Sequence, residues 1–277
     1  MTIHTIHQDL LTGPVNIALV GAGGNGSQML TGLARLHTAL LALQHPGGLQ
    51  VTVYDPDRVS ESNVGRQLFS PSDIGQYKAS VLVHRLNCYY GLDWQARPSR
   101  FTLPARGYAT HMPDIVVSCV DTIASRQEIS KLLGLRHSAT PRYWLDLGNR
   151  QQDGQVILGE PDRKHGVQTG TINSNEFTRG MNAKERKAKM HAPPRLPTVM
   201  EVYPELMRRQ KEDDAPSCSL AEALEKQDLF INDHVTRWGL HLLWTLFREG
   251  KVEHHGYLIN LKDGSVNPLT VPGKEKR

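Results

Sequence analysis

The amino-acid sequence predicts an α/β chain: a Rossmann-like, doubly wound and mostly parallel sheet, extended by a C-terminal helix and β-hairpin. Three observations carry this. Apolar runs of strand length alternate with helix-period segments over the first 160 residues. The first such run ends in a glycine cluster that opens a helix, and the next ends on an acidic residue.

In order, Val15–Val20 reads as a buried strand running into the glycines, and a helical pattern follows from Gly26 to about Leu43, broken by Gln44-His45-Pro46-Gly47-Gly48. Leu49–Tyr54 is a second strand ending on Asp55. Lys78–Tyr90 has Val81, Leu82, Arg85 and Leu86 spaced for one helix face. Asp114–Val120 is a strand, Ile123–Leu133 a helix, and Tyr143–Leu147 and Gln155–Leu158 are further strands. From Pro161 to Pro216 periodicity gives way to polar sequence with basic residues (Lys184, Arg186, Lys187, Lys189), Pro193-Pro194 and the acidic run Glu212-Asp213-Asp214. Such a stretch is a functional lid or a disordered insertion. Ser219-Leu220-Ala221-Glu222 has the form of a capping box, opening a helix that runs to about Arg248. Tyr257–Leu261 and Val266–Val271 form a hairpin around Asp263-Gly264, and the last five residues a frayed tail. The expected organisation is a core over residues 1–160, a crossover insertion over 161–216, and a segment over 217–277 that completes the same domain.

Composition narrows the function. Hydrophobic residues make up 39% of the 277 and charged residues 22%, enough to bury a sizeable core. The apolar stretch Thr38–Leu43 falls far short of a membrane span. No basic start leads into an apolar block, so a cytoplasmic location is expected. Three cysteines (Cys88, Cys119, Cys218) make no disulfide framework and no CxxC zinc pair. The net charge of +4 is too small to imply nucleic acid as a partner. The 13 histidines are scattered and do not suggest a metal cluster.

Gly21, Gly23 and Gly26 fit GxGxxG, with Gly24 inside the same cluster. Glycines there let backbone N–H groups approach a phosphate at a helix N-terminus, and Asp55 is placed for ribose hydroxyls. The pair points to an adenine nucleotide without separating a dinucleotide from ATP. A glycine turn that holds no ligand is the plainer alternative.

The next segment separates them. It reads Asp55-Pro56-Asp57-Arg58-Val59-Ser60-Glu61-Ser62-Asn63-Val64-Gly65-Arg66-Gln67, then Asp73-Ile74-Gly75-Gln76-Tyr77-Lys78-Ala79, and later Val116-Val117-Ser118-Cys119-Val120-Asp121. Over residues 15 to 160 the chain resembles the ThiF/MoeB/HesA superfamily, the activating enzymes of ubiquitin-like and sulfur-carrier proteins. Its length, its basic insertion, Pro216-Ser217-Cys218-Ser219-Leu220 and Gln227–Asn232 make it similar, more narrowly, to the ThiF-family members of bacterial PRTRC cassettes.

The resemblance implies ATP-dependent adenylation of a small carrier protein's C-terminal carboxylate. It implies phosphate contacts for Arg66 and Lys78, phosphate or ribose contacts for Asn63 and Gln67, and Mg²⁺ at Asp121. Arg suits a bidentate phosphate grip and Lys a compact charge. A homodimer is expected by resemblance only. Family members with structural zinc carry two CxxC pairs, which this chain lacks, so none is expected. No Lys or Arg precedes Arg35, which leaves the family's basic residue from a partner's N-terminal region without a counterpart. Cys218, before a capped helix, is the expected thioester nucleophile, since a helix N-terminus favours thiolate. Two other functions compete: an NAD(P)-dependent oxidoreductase, disfavoured by Arg66, Lys78 and Asp121, and a non-catalytic scaffold for a β-grasp partner.

Overall fold

The structure is a computed structural model and describes residues 2–103, 112–134, 141–161, 195–205, 221, 224, 225 and 227–273. A short strand β1 (His4–Thr5) precedes β2 (Val15–Val20), α1 (Gly24–Ala42), β3 (Leu49–Tyr54), α2 (Lys78–Tyr90) and β4 (Gln95–Arg97). Next come β5 (Ile115–Ser118), α3 (Ile123–Gly134), β6 (Tyr143–Asn149) and β7 (Asp153–Gly159). The chain closes with a single turn α4 (Val199–Val202), the long α5 (Ile231–Glu249), β8 (Lys251–Val252), β9 (His254–Asn260) and β10 (Ser265–Thr270).

Eight strands form one sheet in the order β10-β9-β7-β6-β5-β2-β3-β4, and β1 pairs separately with β8. The pairs from β4 through β6 are parallel; β6–β7, β7–β9 and β9–β10 are antiparallel. The C-terminal strands therefore extend the sheet instead of forming a separate layer. Strand alternation sorts side chains onto two faces. Ile17, Leu19, Ile115, Val117, Tyr143 and Leu145 pack in one core with α1, α2 and α5. Ala18, Val20, Val116 and Trp144 face the other way, onto Ile129 and Leu133 of α3 and Val199 of α4.

The bounds of β2, β3 and α2 coincide with those read from the sequence. Two differences have local causes. The helix expected to run on from Ser219 is interrupted: residues 227–230 form a turn, and α5 begins only at Ile231. Asp228 Oδ1 accepts the Phe230 N–H at 2.9 Å, and the Asp228 N–H donates to Gln151 O at 2.8 Å, which diverts the backbone from helical bonding. The capping residue Ser219 lies outside the described residues. α4 stands within the segment read as aperiodic; Thr198 caps it, with Glu201 Oε2 accepting from the Thr198 N–H at 2.8 Å.

From β2 the chain passes to β3 on one side and later returns to β5 on the other. That reversal opens a crevice at the carboxyl ends of β2 and β5, where open α/β sheets bind ligands. No helix among the described residues is long and apolar enough to cross a membrane.

Candidate active site

The crevice is a cleft of about 380 Å³. Its floor is the turn between β2 and α1. Gly21 has φ +93°, a conformation that side chains disfavour, and a Cβ there would stand 2.7 Å from Cys119 O. A Cβ on Gly26 would lie 1.9 Å from Gly21 O, so Gly26 is what lets the first turn of α1 fold back on the loop. Gly23 and Gly24 line the cleft, as does Gly21; Gly26 does not.

Asp55, at the carboxyl end of β3, is buried and lines the cleft. Its Oδ2 accepts the Ala22 N–H at 2.6 Å and its Oδ1 the Asp57 N–H at 2.8 Å, which ties the glycine turn to the next loop. Burial raises its pKa, against the opposing pull of those two N–H groups and Lys78. Lys78, the first residue of α2, is buried with Nζ 3.3 Å from Asp57 Oδ2. Asp121 follows β5, is exposed, and lines the opposite wall.

Arg66 and Gln67 enter from the loop after Asp55. Arg66 Nη1 donates to Gln227 Oε1 at 2.6 Å, while its Nε is buried with no hydrogen-bond partner. Burial lowers the Arg66 pKa. Gln67 Oε1 is also buried without a partner. Asn63 does not line the cleft. Its Oδ1 accepts from Ser60 N–H at 2.9 Å and Ser60 Oγ at 3.1 Å, and its carbonyl accepts the Gln67 N–H at 2.9 Å. Asn63 thus holds the loop that presents Arg66 and Gln67. Cys119 lines the cleft, but burial pushes its thiol pKa up, so it is a poor nucleophile. Cys88 sits exposed in the last turn of α2. Cys218 lies outside the described residues.

Two groups were not anticipated from the sequence. The first is a buried ion pair beneath Asp121. Arg126 Nε lies 3.1 Å from both Asp146 carboxylate oxygens, and Ser118 Oγ donates to Asp146 Oδ1 at 2.6 Å. The rest of the guanidinium grips the backbone on either side: Val120 O at 2.8 Å, Thr122 O at 3.3 Å and Leu147 O at 3.3 Å. This fixes the loop carrying Asp121 to the end of β6. Arg126 stands on the first turns of α3 and Asp146 mid-strand, so only the strand–helix crossover brings them together; an aspartate inside the apolar run of β6 was the available signal. The second is an amide wall from the C-terminal half. Asn149, Gln227 and Asn232 line the cleft with Asn25, whose Nδ2 donates to Asn149 Oδ1 at 2.8 Å.

The far end of the cleft is more apolar, with Tyr54, Phe101, Ile129 and Leu132, beside an exposed pair between Arg100 and Glu128 at 3.5 Å. Among the described residues no group of three or more His, Cys, Asp or Glu is placed to hold a metal ion.

Solved structures share this fold. Residues 8–140 match the ThiF family. The ThiF-matching region thus runs from before β2 to just past α3 and takes in the glycine turn, Arg66, Lys78 and Asp121. No curated protein matches the chain in sequence. Among solved structures it is similar to E. coli MccB with MccA, at TM-score 0.52 and 14% identity over 97% of this chain and 67% of that one. The crystal structure of E. coli MccB without a named ligand gives TM-score 0.50 and 13% identity over 97% and 65%. The chain spans about two thirds of the length of the MccB structures it matches, and at this identity the likeness is one of fold.

Proposed function

We propose that this chain uses ATP to adenylate the C-terminal carboxylate of a small ubiquitin-like or sulfur-carrier protein. The observation that carries the reading is Arg66: a partly buried cation in the cleft, beside Gln67 and across from the amino end of α1, whose Nε lacks any hydrogen-bond partner. A guanidinium with an unsatisfied edge that shares its cleft with the glycine turn fits a phosphate chain, since charge-assisted bidentate bonds are the strongest available to it. The ThiF match over residues 8–140 supports the same class of chemistry.

In the reaction, a carboxylate oxygen of the carrier attacks the α-phosphorus of ATP. An acyl–phosphate bond forms, the bond to the β-phosphate oxygen breaks, and pyrophosphate leaves with that electron pair. The N–H groups of the glycine turn and Arg66 bind the phosphates and oppose the charge that builds on them, and Lys78 adds a second positive charge. Asp55 keeps lone pairs free of its two backbone bonds and can accept from ribose hydroxyls. Mg²⁺, when bound, supplies further charge neutralisation on the phosphate oxygens; the exposed Asp121 is the carboxylate that would hold it. The Tyr54–Phe101–Ile129 end offers apolar surface to a base.

The finer parts of this proposal are membership of the PRTRC-associated branch, action in the cytoplasm as a homodimer, and transfer of the acyl group to Cys218. Residues 161–216 would receive the carrier through their Lys and Arg clusters. ATP–pyrophosphate exchange tests the central claim, run with each small protein encoded beside this gene. Exchange that needs one such protein with a free C-terminus is the expected result. ATP binding without exchange for any of them would leave a scaffold, and NAD(P) binding in place of ATP would make the chain an oxidoreductase.

A further inference from the structure

We propose that Gln227 is a positioning residue for Arg66, so that the phosphate end of the cleft is completed by the segment leading into α5. The inference rests on the nucleotide reading above. Arg66 and Gln227 are 161 positions apart, yet Arg66 Nη1 donates to Gln227 Oε1 at 2.6 Å, the one side-chain partner of this guanidinium among the described residues. No other residue of the loop between β3 and α2 bonds the Arg66 guanidinium among the described residues, so the cation's direction is set from across the cleft.

Gln227 can serve because it is anchored on both sides. Gln151 Nε2 donates to Glu225 O at 3.1 Å, and the Asp228 N–H donates to Gln151 O at 2.8 Å, pinning the backbone around it to the β6–β7 turn. Asn232, in the first turn of α5, donates from Nδ2 to the same Gln227 Oε1 at 3.4 Å. That carbonyl oxygen therefore has two donors converging on it and is fixed in direction. With Nη1 taken by Gln227, the edge of Arg66 that carries the partnerless Nε is left for a bidentate oxyanion. Asn232 is itself packed against the glycine turn: a Cβ on Gly24 would lie 2.5 Å from its Nδ2. The turn, the arginine and the C-terminal segment are thus one contiguous set of contacts around the phosphate end.

Calorimetric binding of MgATP to four full-length proteins tests this without any carrier: wild type, Gln227→Met, Arg66→Ala and the double variant. Met keeps the volume of Gln and removes only its hydrogen bonds. Gln227→Met is expected to weaken ATP about fivefold, and Arg66→Ala about tenfold or more, as charge-assisted bonds of this class allow. The double variant should bind no worse than Arg66→Ala, because Gln227 acts only through that side chain. A purely structural role would instead let the two losses multiply, which overturns the proposal, as does Gln227→Met binding ATP like the wild type. Wild-type protein that binds no ATP removes the nucleotide reading and this inference together; wild-type binding with an unaffected Gln227→Met removes the inference alone.

Discussion

At the amino end of the parallel strands, polar groups are used up on one another, whereas at the carboxyl end several are left over. Glu160 illustrates the first case. Its Oε1 bonds His7 Nε2 at 2.7 Å, its Oε2 accepts the Leu196 N–H at 2.8 Å, its N–H donates to Leu196 O at 2.9 Å, and Arg195 bonds its carbonyl. His4 Nε2 meets the Tyr143 hydroxyl at 2.8 Å, and His255 Nδ1 meets Leu158 O at 3.1 Å. One buried atom there, His4 Nδ1, has no hydrogen bond, but it lies 3.8 Å from Glu160 Oε2. This clasp ties the N-terminal segment to residues 195–196, where the chain returns to the described fold. At the carboxyl end, Arg66 Nε, Gln67 Oε1 and Asn25 Oδ1 are buried without partners around one cleft, and Asp121 is exposed. Buried polar groups are expensive to leave unpaired, so such groups concentrated on one concave surface mark where a polar ligand binds. Histidines and carboxylates at the other end, however dense, serve stability.

Asp121→Ala should break the comparison most sharply on the carboxyl side. Losing charge neutralisation worth several kcal/mol lowers pyrophosphate exchange by about a thousandfold. The melting temperature should barely move, because an exposed carboxylate with no packing role contributes within about 0.5 kcal/mol. Exchange retained in a folded Asp121→Ala protein removes Asp121 from the reaction.

Glu160→Ala is the mirror experiment. It leaves the Leu196 N–H and the His7 ring without their acceptor, at a cost of about 2–3 kcal/mol. ATP affinity, measured on protein that remains folded at low temperature, should stay within twofold. A loss of ATP affinity larger than the loss of stability would mean the two ends of the sheet are coupled.

Acid should attack the clasp before the cleft. Burial lowers the pKa of His4, with Glu160 opposing and His7 and His255 reinforcing; burial also lowers those of His255 and His37. The folded chain therefore takes up fewer protons than the unfolded chain once the pH drops below the ordinary histidine value of about 6.5. Stability from these groups is complete above that pH and declines as pH falls toward their lowered folded values, by at most about 1.4 kcal/mol per pH unit for each group. Glu160, held below the usual carboxylate range despite its burial by His7, the Leu196 N–H and His4, loses its contribution only further down, below about 4.5. Melting curves from pH 7.5 to 5 should show the decline, and His4→Gln should make it shallower, leaving the share of His255 and His37. A flat wild-type profile would mean these rings are not buried neutral.

The regions differ in how far the sequence reveals them. β2, β3 and α2 are legible because each is a long apolar or helix-period run closed by glycine, aspartate or a turn. β4 escapes because Gln95–Arg97 is three mostly polar residues on the sheet edge, held by pairing to β3 and not by an apolar pattern. Most of the cleft is equally local: Gly21, Gly23, Gly24, Asp55, Arg66, Gln67, Lys78 and Asp121 all line it, and each stands just after a strand, in a loop or at the first residue of a helix, at a recognisable spacing. What escapes is held by distance. Asp146 beneath Asp121, and Gln227 against Arg66, owe their places to strand order and to the return of the C-terminal segment. Asn63 shows the converse, a motif residue whose side-chain Oδ1 is engaged in local capping bonds.

The smallest predicted effect divides the glycine turn itself. Gly26 has no room for a methyl group, with its Cβ position 1.9 Å from Gly21 O, so Gly26→Ala tests only folding. Gly23 differs. A Cβ there would meet only the Gln67 amide, at 3.8 and 3.9 Å, an ordinary van der Waals distance, although its φ of −81° and ψ of −141° lie outside the α and β regions. Gly23→Ala should therefore fold, with a loss of about 1–3 kcal/mol from holding alanine in that conformation. The added methyl faces the cleft beside the backbone N–H groups at the start of α1, so it keeps a phosphate from approaching them fully. ATP affinity, measured on the folded protein, is expected to fall about threefold to tenfold. Unchanged affinity would mean that the ligand does not approach the backbone at Gly23, leaving Arg66 and Lys78 as the phosphate contacts. A large loss of stability would instead make Gly23 a folding glycine like Gly26, and would move the boundary between the structural and the ligand-facing parts of this loop.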